Sequence, residues 1–224
     1  MAGIGEERSV EEVLNEGYTL DIGKAFSTGW ETFKAGAGLF IAWAALTLVA
    51  VTICGSLKVA GSLVAGYVVM PFAIAGFLSA AFSLMKTGKL EFEDFTKVFQ
   101  RFGEIIVVGI LIALIASIGF VLCILPGIYA KIAMVFAFPL VIAKGVPAVD
   151  AIKASFNVVN KNFVEVLLLV LALFGVGLAG LLLCGVGLLV AMPLIYCIVA
   201  AAYVQVFGLE GEAPVQAPES GTGL

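Results

Sequence analysis

The chain has 224 residues, 62% of them hydrophobic and 12% charged, with a formal net charge of −4. A soluble domain averages about 45–50% apolar and about 25% charged residues, so most of this surface is expected to meet lipid rather than water. No dense basic patch is present to bind nucleic acid. Histidine is absent, which removes the commonest metal ligand and the usual proton carrier near neutral pH.

The first 18 residues are acidic and polar. They lack the positive start and apolar core of a signal peptide, so insertion is expected to be driven by the later apolar segments. Ser9 and Glu12 have capping-box spacing, which predicts a short surface helix from Ser9. Uncharged runs follow at Ala35–Leu57, Val59–Met85 and Ile105–Ala130, with Pro126-Gly127 read as a turn near the end of the third. A fourth, Gly127–Ala143, carries Lys131, which can snorkel outward. Val166–Leu209 is uncharged throughout, too long for one helix across ~30 Å of hydrocarbon and right for two. Cys184-Gly185-Val186-Gly187 is the turn within it.

These runs predict an all-α integral membrane protein with helices near 37–57, 60–85, 105–125, 127–144, 164–184 and 188–208. Ten of the twelve Lys and Arg residues fall on one side if the helices alternate, leaving only Lys58 and Lys131 on the other. By the positive-inside rule both termini are expected in the cytoplasm. All sixteen acids map to the same side, and the outer turns are very short.

A threefold repeat runs through the pattern, over about 19–85, 90–144 and 147–208, before a polar tail from 209 to 224 read as disordered. Each unit opens on an apolar trio at i, i+4, i+7: Phe26, Trp30 and Phe33; Phe95, Phe99 and Phe102; Ile152, Phe156 and Val159. That spacing puts each trio on one face of an amphipathic helix, suited to the membrane interface or to docking. Each unit also has a proline in its second membrane helix, Pro71, Pro139 and Pro193, read as a kink. Cys54, Cys123 and Cys184 follow their trios at similar intervals, which places all three near the outer surface as candidate clustered thiols. Cys197 lies deeper and reads as packing.

Catalytic chemistry finds no foothold. The chain has no G-x-S-x-G elbow and no P-loop. Glu93 and Asp94 are read as a solvated charge run on an exposed helix face. Glu104 and Glu165 sit at helix starts, where the helix dipole favours a carboxylate. No acid falls at mid-membrane to carry protons. No cofactor or metal is expected.

The segments Leu125-Pro126-Gly127-Ile128-Tyr129, Phe138-Pro139-Leu140-Val141 and Ala148–Phe163 resemble the YciC-like bacterial membrane proteins. The same pattern occurs in the membrane domain of some glycerophosphodiester phosphodiesterases. Cys184–Leu189, Pro193, Ala202-Tyr203 and Phe207-Gly208 fit the closing segment, and Ala25-Phe26, Gly29-Trp30 and Phe33-Lys34 fit the opening. The resemblance spans roughly 20–208 and implies a six-helix membrane domain. The phosphodiesterase barrel is absent, so no catalytic residues carry over. The expected role is a non-catalytic inner-membrane protein that organises membrane lipids, or a protein partner on the cytoplasmic face, through the amphipathic helices. The alternative is a carrier or pore for a lipid or small apolar solute.

Overall fold

The computed structural model describes residues 7–122, 124–183 and 187–209. Every regular element among them is helical. Six spans are long and apolar enough to cross a membrane: Ile22–Ser56, Val59–Thr87, Phe92–Val121, Ile124–Lys144, Phe163–Leu182 and Leu188–Phe207. The protein is therefore a multi-pass membrane protein by helix length and composition.

The chain opens with α1 (Val10–Glu16), started by the expected capping box. The Ser9 hydroxyl accepts from the Glu12 N–H at 3.1 Å, and the Glu12 carboxylate accepts from the Ser9 N–H at 2.6 Å. These bonds hold the Glu12 carboxyl below its usual pKa. Next comes α2 (Ile22–Ser56), capped by Asp21, whose carboxylate accepts from the Lys24 N–H at 2.9 Å. Its 35 residues are more than a crossing of the ~30 Å hydrocarbon core requires. A separate surface helix ahead of a span at 37–57 was expected. The structure keeps both: two helical stretches meet at a kink at Gly36 (φ −124°, ψ 18°), and the second begins where the first span was expected.

The second span is interrupted. It runs as α3 (Lys58–Val64), a π-helical turn at Ala65–Val69, and α4 (Met70–Thr87), with Pro71 in the first turn of α4. Proline supplies no N–H to the preceding turn, and a π turn at that point absorbs the missing bond. A short α5 (Phe92–Thr96) passes through a 3-10 turn, Lys97–Arg101, into α6 (Phe102–Leu122).

The fourth span also differs from the expectation. Pro126 and Gly127 do not form a turn; both lie in the first turns of α7 (Ile124–Ala133). There proline lacks only an N–H that would have no helical partner. The break falls later, at residues 134–136, before α8 (Ala137–Lys144). Ser155, on α9 (Ala148–Lys161), satisfies that break: its hydroxyl accepts from the Phe136 N–H at 3.2 Å and donates to the Ala133 carbonyl at 2.8 Å. A helix can be broken in an apolar setting only where such partners exist. The third helix pair is α10 (Phe163–Leu182) and α11 (Leu188–Phe207), with Pro193 inside α11 without ending it.

Close backbone approach holds the helices together. A Cβ at Gly29 of α2 would stand 2.6–2.8 Å from the backbone and Cγ1 of Ile198 on α11. Trp43 lies against Gly76, and its indole N–H donates to the Ala73 carbonyl at 3.3 Å. Each hairpin end is also closed over glycine. A Cβ at Gly61 would sit 1.7 Å from the Cys54 carbonyl, one at Gly119 would sit 2.8 Å from the Gly127 Cα, and one at Gly187 would sit 2.5 Å from the Gly180 carbonyl. Small residues that let backbones meet are the usual means of packing helices in lipid, where no hydrophobic force draws helices together.

Candidate functional site: a polar clasp at one end of the bundle

The segment from Glu7 to Asp21 crosses the end of the bundle where α8, α9 and α11 finish and α10 begins. It is fastened to each of them. The Arg8 N–H donates to the Phe207 carbonyl of α11 at 2.7 Å. The Lys144 ammonium, at the end of α8, pairs with the Glu7 carboxylate at 3.2 Å and donates to the Arg8 carbonyl. It also stands 5.6 Å from the centre of the Phe207 ring. The Tyr18 hydroxyl donates to the Val158 carbonyl of α9 at 3.1 Å. Asn162 donates to the Tyr18 carbonyl. Glu165, in the first turn of α10, accepts from the Leu20 N–H at 2.9 Å and from Asn162 at 3.3 Å. Gln205 of α11 closes the ring: it accepts from the Asp21 N–H at 3.0 Å and donates to the Asp21 carbonyl at 3.2 Å.

The electrostatics suit holding rather than reacting. Burial, with a smaller contribution from the Glu165 charge, pushes the Tyr18 hydroxyl above its usual pKa, so it remains a donor. Every carboxylate in the ring already has a donor. A second link of the same kind joins α6 to α9: Glu104 accepts from the Ala148 N–H at 2.8 Å. The dipole reading of Glu104 and Glu165 therefore understates both, since each caps backbone outside its own helix.

The predicted trios divide between core and surface. In the first, Phe33 is buried, Phe26 half-buried and Trp30 46% exposed. In the third, Val159 is buried, Ile152 half-buried and Phe156 42% exposed. The second does not keep one helical face, because the chain changes to 3-10 geometry between Phe95 and Phe102. Phe95 turns inward against Phe40 and Trp43, at ring distances of 5.5 and 5.3 Å. Phe99, 54% exposed, and Phe102 pack on Phe72 of α4, at 5.1 and 4.8 Å. In all three trios the middle residue faces outward. Asp94 is a further correction: it is buried, accepting from the Glu91 N–H at 2.9 Å and pairing with Lys97 at 2.6 Å. A capping role at the start of α5 draws it in.

Pro71, Pro139 and Pro193 are all buried. Cys54 is half-buried and free, and Cys197 is buried as expected. Cys123 and Cys184 lie outside the described residues, as do the Cys184–Val186 part of the last turn and the tail from 210. No group of three or more potential metal ligands occurs among the described residues.

The comparisons with known proteins stop short of a function. Uncharacterized protein Rv2560 of Mycobacterium tuberculosis is 30% identical over 135 residues, covering 57% of this chain and 40% of that protein. Uncharacterized protein Mb2590 of Mycobacterium bovis matches to the same extent. The chain thus spans well under half the length of these relatives. No family model matches the chain. No solved structure matches it.

Proposed function

We propose that this is a non-catalytic protein of a bacterial inner membrane that organises lipids or partner proteins through its amphipathic helices. In this reading the clasp and both termini face the cytoplasm, from the ten-to-two asymmetry of Lys and Arg. The observation that carries it is the outward exposure of Trp30, Phe99 and Phe156, the middle residue of each trio. Aromatic rings beside cations suit the headgroup level of a bilayer. Lys34 stands 5.9 Å from the Trp30 ring, and Lys153 shares helix α9 with Phe156.

The matching exposure of these three residues, and a glycine-closed turn in every hairpin, also support three repeated units. The resemblance to YciC-like proteins bears on the fold and supplies no activity. The carboxylates best suited to acid–base work are engaged in the clasp and in the Glu104–Ala148 link. That favours structure over catalysis.

One observation favours the carrier reading instead. A cavity of about 230 Å³ lies between α2, α4 and α11, with walls that include Thr47, Ala73, Phe77, Met192 and Tyr196. Its lining is almost wholly apolar, fitting an acyl chain rather than an ion.

Trp30→Asn combined with Phe99→Asn tests the organising role. The double variant should fold, since both side chains are about half exposed. It should lose most of the lipid or protein that co-purifies with the wild type in mild detergent, read by mass spectrometry. An unchanged set of co-purifying molecules would sink the proposal.

A further inference from the structure

A second groove, of about 290 Å³, opens where α9 lies against α6 and α7. Its apolar wall is Ile115, Ala130, Met134, Ile152 and Phe156, and its polar edge is Lys153 and Asn157. We propose that this groove binds one anionic phospholipid, with an acyl chain along the apolar wall and the phosphate at Lys153 and Asn157. The inference rests on the lipid-organising reading above and names the lipid class and the place.

Three features support this occupant. The groove joins an apolar floor to a cationic edge, which matches a lipid and neither a free phosphate nor an uncharged solute. Its shape is set by fixed partners: the Tyr129 hydroxyl donates to Asn160 at 2.5 Å, and the Tyr129 ring meets Phe156 edge-on at 5.8 Å. These tie α7 to α9 and hold the groove open beside them. Finally, the Lys153 ammonium is only loosely engaged. Asp150 stands 3.9 Å away with both side chains well exposed, so donors remain for a phosphate. The spans on either side are long and apolar enough to sit in a bilayer, so a lipid chain is the molecule at hand to fill an apolar slot there.

The test uses the full chain in detergent, titrated with dioleoylphosphatidylglycerol or dioleoylphosphatidylcholine and read by native mass spectrometry. The wild type should bind one phosphatidylglycerol about tenfold tighter than phosphatidylcholine: both offer a phosphate to Lys153, but the choline cation offsets that attraction while phosphatidylglycerol keeps its net negative charge. Lys153→Glu should abolish that preference. Ala130→Phe, which fills the floor without altering charge, should weaken binding of both lipids at this site. Lys89→Glu, exposed in the connection between α4 and α5, should change neither. Millimolar inorganic phosphate should not displace the lipid.

Equal binding of the two lipids by the wild type would overturn the proposal. So would a preference that survives Lys153→Glu, binding that Ala130→Phe leaves unchanged, or displacement of the lipid by phosphate alone. Neither groove variant touches Trp30 or Phe99. The groove can therefore fail while the Trp30/Phe99 variant still loses its co-purifying molecules, and the broader reading can fail while the groove stands.

Discussion

Replacing Gly29 by valine is expected to destabilise the bundle by about 3 kcal/mol or more, the upper end for overpacking a close contact. Even the first added carbon would stand 2.6–2.8 Å from Ile198, and two of the three atoms it meets belong to that residue's backbone. A side-chain shift on α11 cannot clear them, so α2 and α11 must separate. Gly38 of the same helix is the control: no atom lies within 4 Å of a Cβ there, and Gly38→Ala should be nearly neutral or slightly stabilising. Thermal unfolding in detergent measures both. Equal midpoints for Gly29→Val and wild type would show that the α2–α11 contact is not as close as described.

The second large effect is expected at Lys144. Its side chain is only 12% exposed, and it holds Glu7, the Arg8 carbonyl and the Phe207 ring together. Lys144→Met keeps the bulk and the contact with Phe207. It leaves the Arg8 carbonyl without its donor and Glu7 without its partner, at a cost of about 2–3 kcal/mol. Glu7 is 30% exposed and can recover some hydration, which keeps the figure below that of a fully buried pair. The loss should be local. Limited proteolysis should cut the segment between Arg8 and Asp21 much faster in the variant, with cleavage elsewhere unchanged. Lys144→Arg should restore part of the protection. Wild-type protection in Lys144→Met would show that the clasp does not depend on this residue.

How much of this was legible in the sequence follows from the range of the interactions. The six spans could be read because an apolar run of sufficient length has few other uses. Their internal breaks could not. The π turn before Pro71 and the break before Ala137 depend on neighbours such as Ser155, which is distant in sequence. Pro126 misled because proline marks a turn and also suits the first turn of a helix, and only the packing of Gly119 on Gly127 separates the two. The trios were legible as apolar residues at helical spacing. The inward turn of Phe95 was not, since a change from α to 3-10 geometry leaves no periodic signature.

The clasp was the least legible feature. Its bonds join Glu7 to Lys144, Leu20 to Glu165 and Asp21 to Gln205, and one sequence carries no record of such long-range pairs. One signal was available. Gln205 is an amide near the end of the uncharged run Val166–Leu209, and a polar side chain in that position needs a partner.

Cysteine labelling in intact cells tests most directly which side of the membrane the clasp faces. Gly88 has φ +68° and would strain any side chain, so the exposed neighbour Thr87 is the better site. With the four native cysteines replaced by alanine, Thr87→Cys should resist a membrane-impermeant maleimide until the cells are opened. Ser56→Cys, exposed at the opposite end of the first hairpin, should react in intact cells. Labelling of Thr87→Cys from outside, with Ser56→Cys protected, would contradict the cytoplasmic placement of the clasp and of the aromatic residues proposed to meet lipid there.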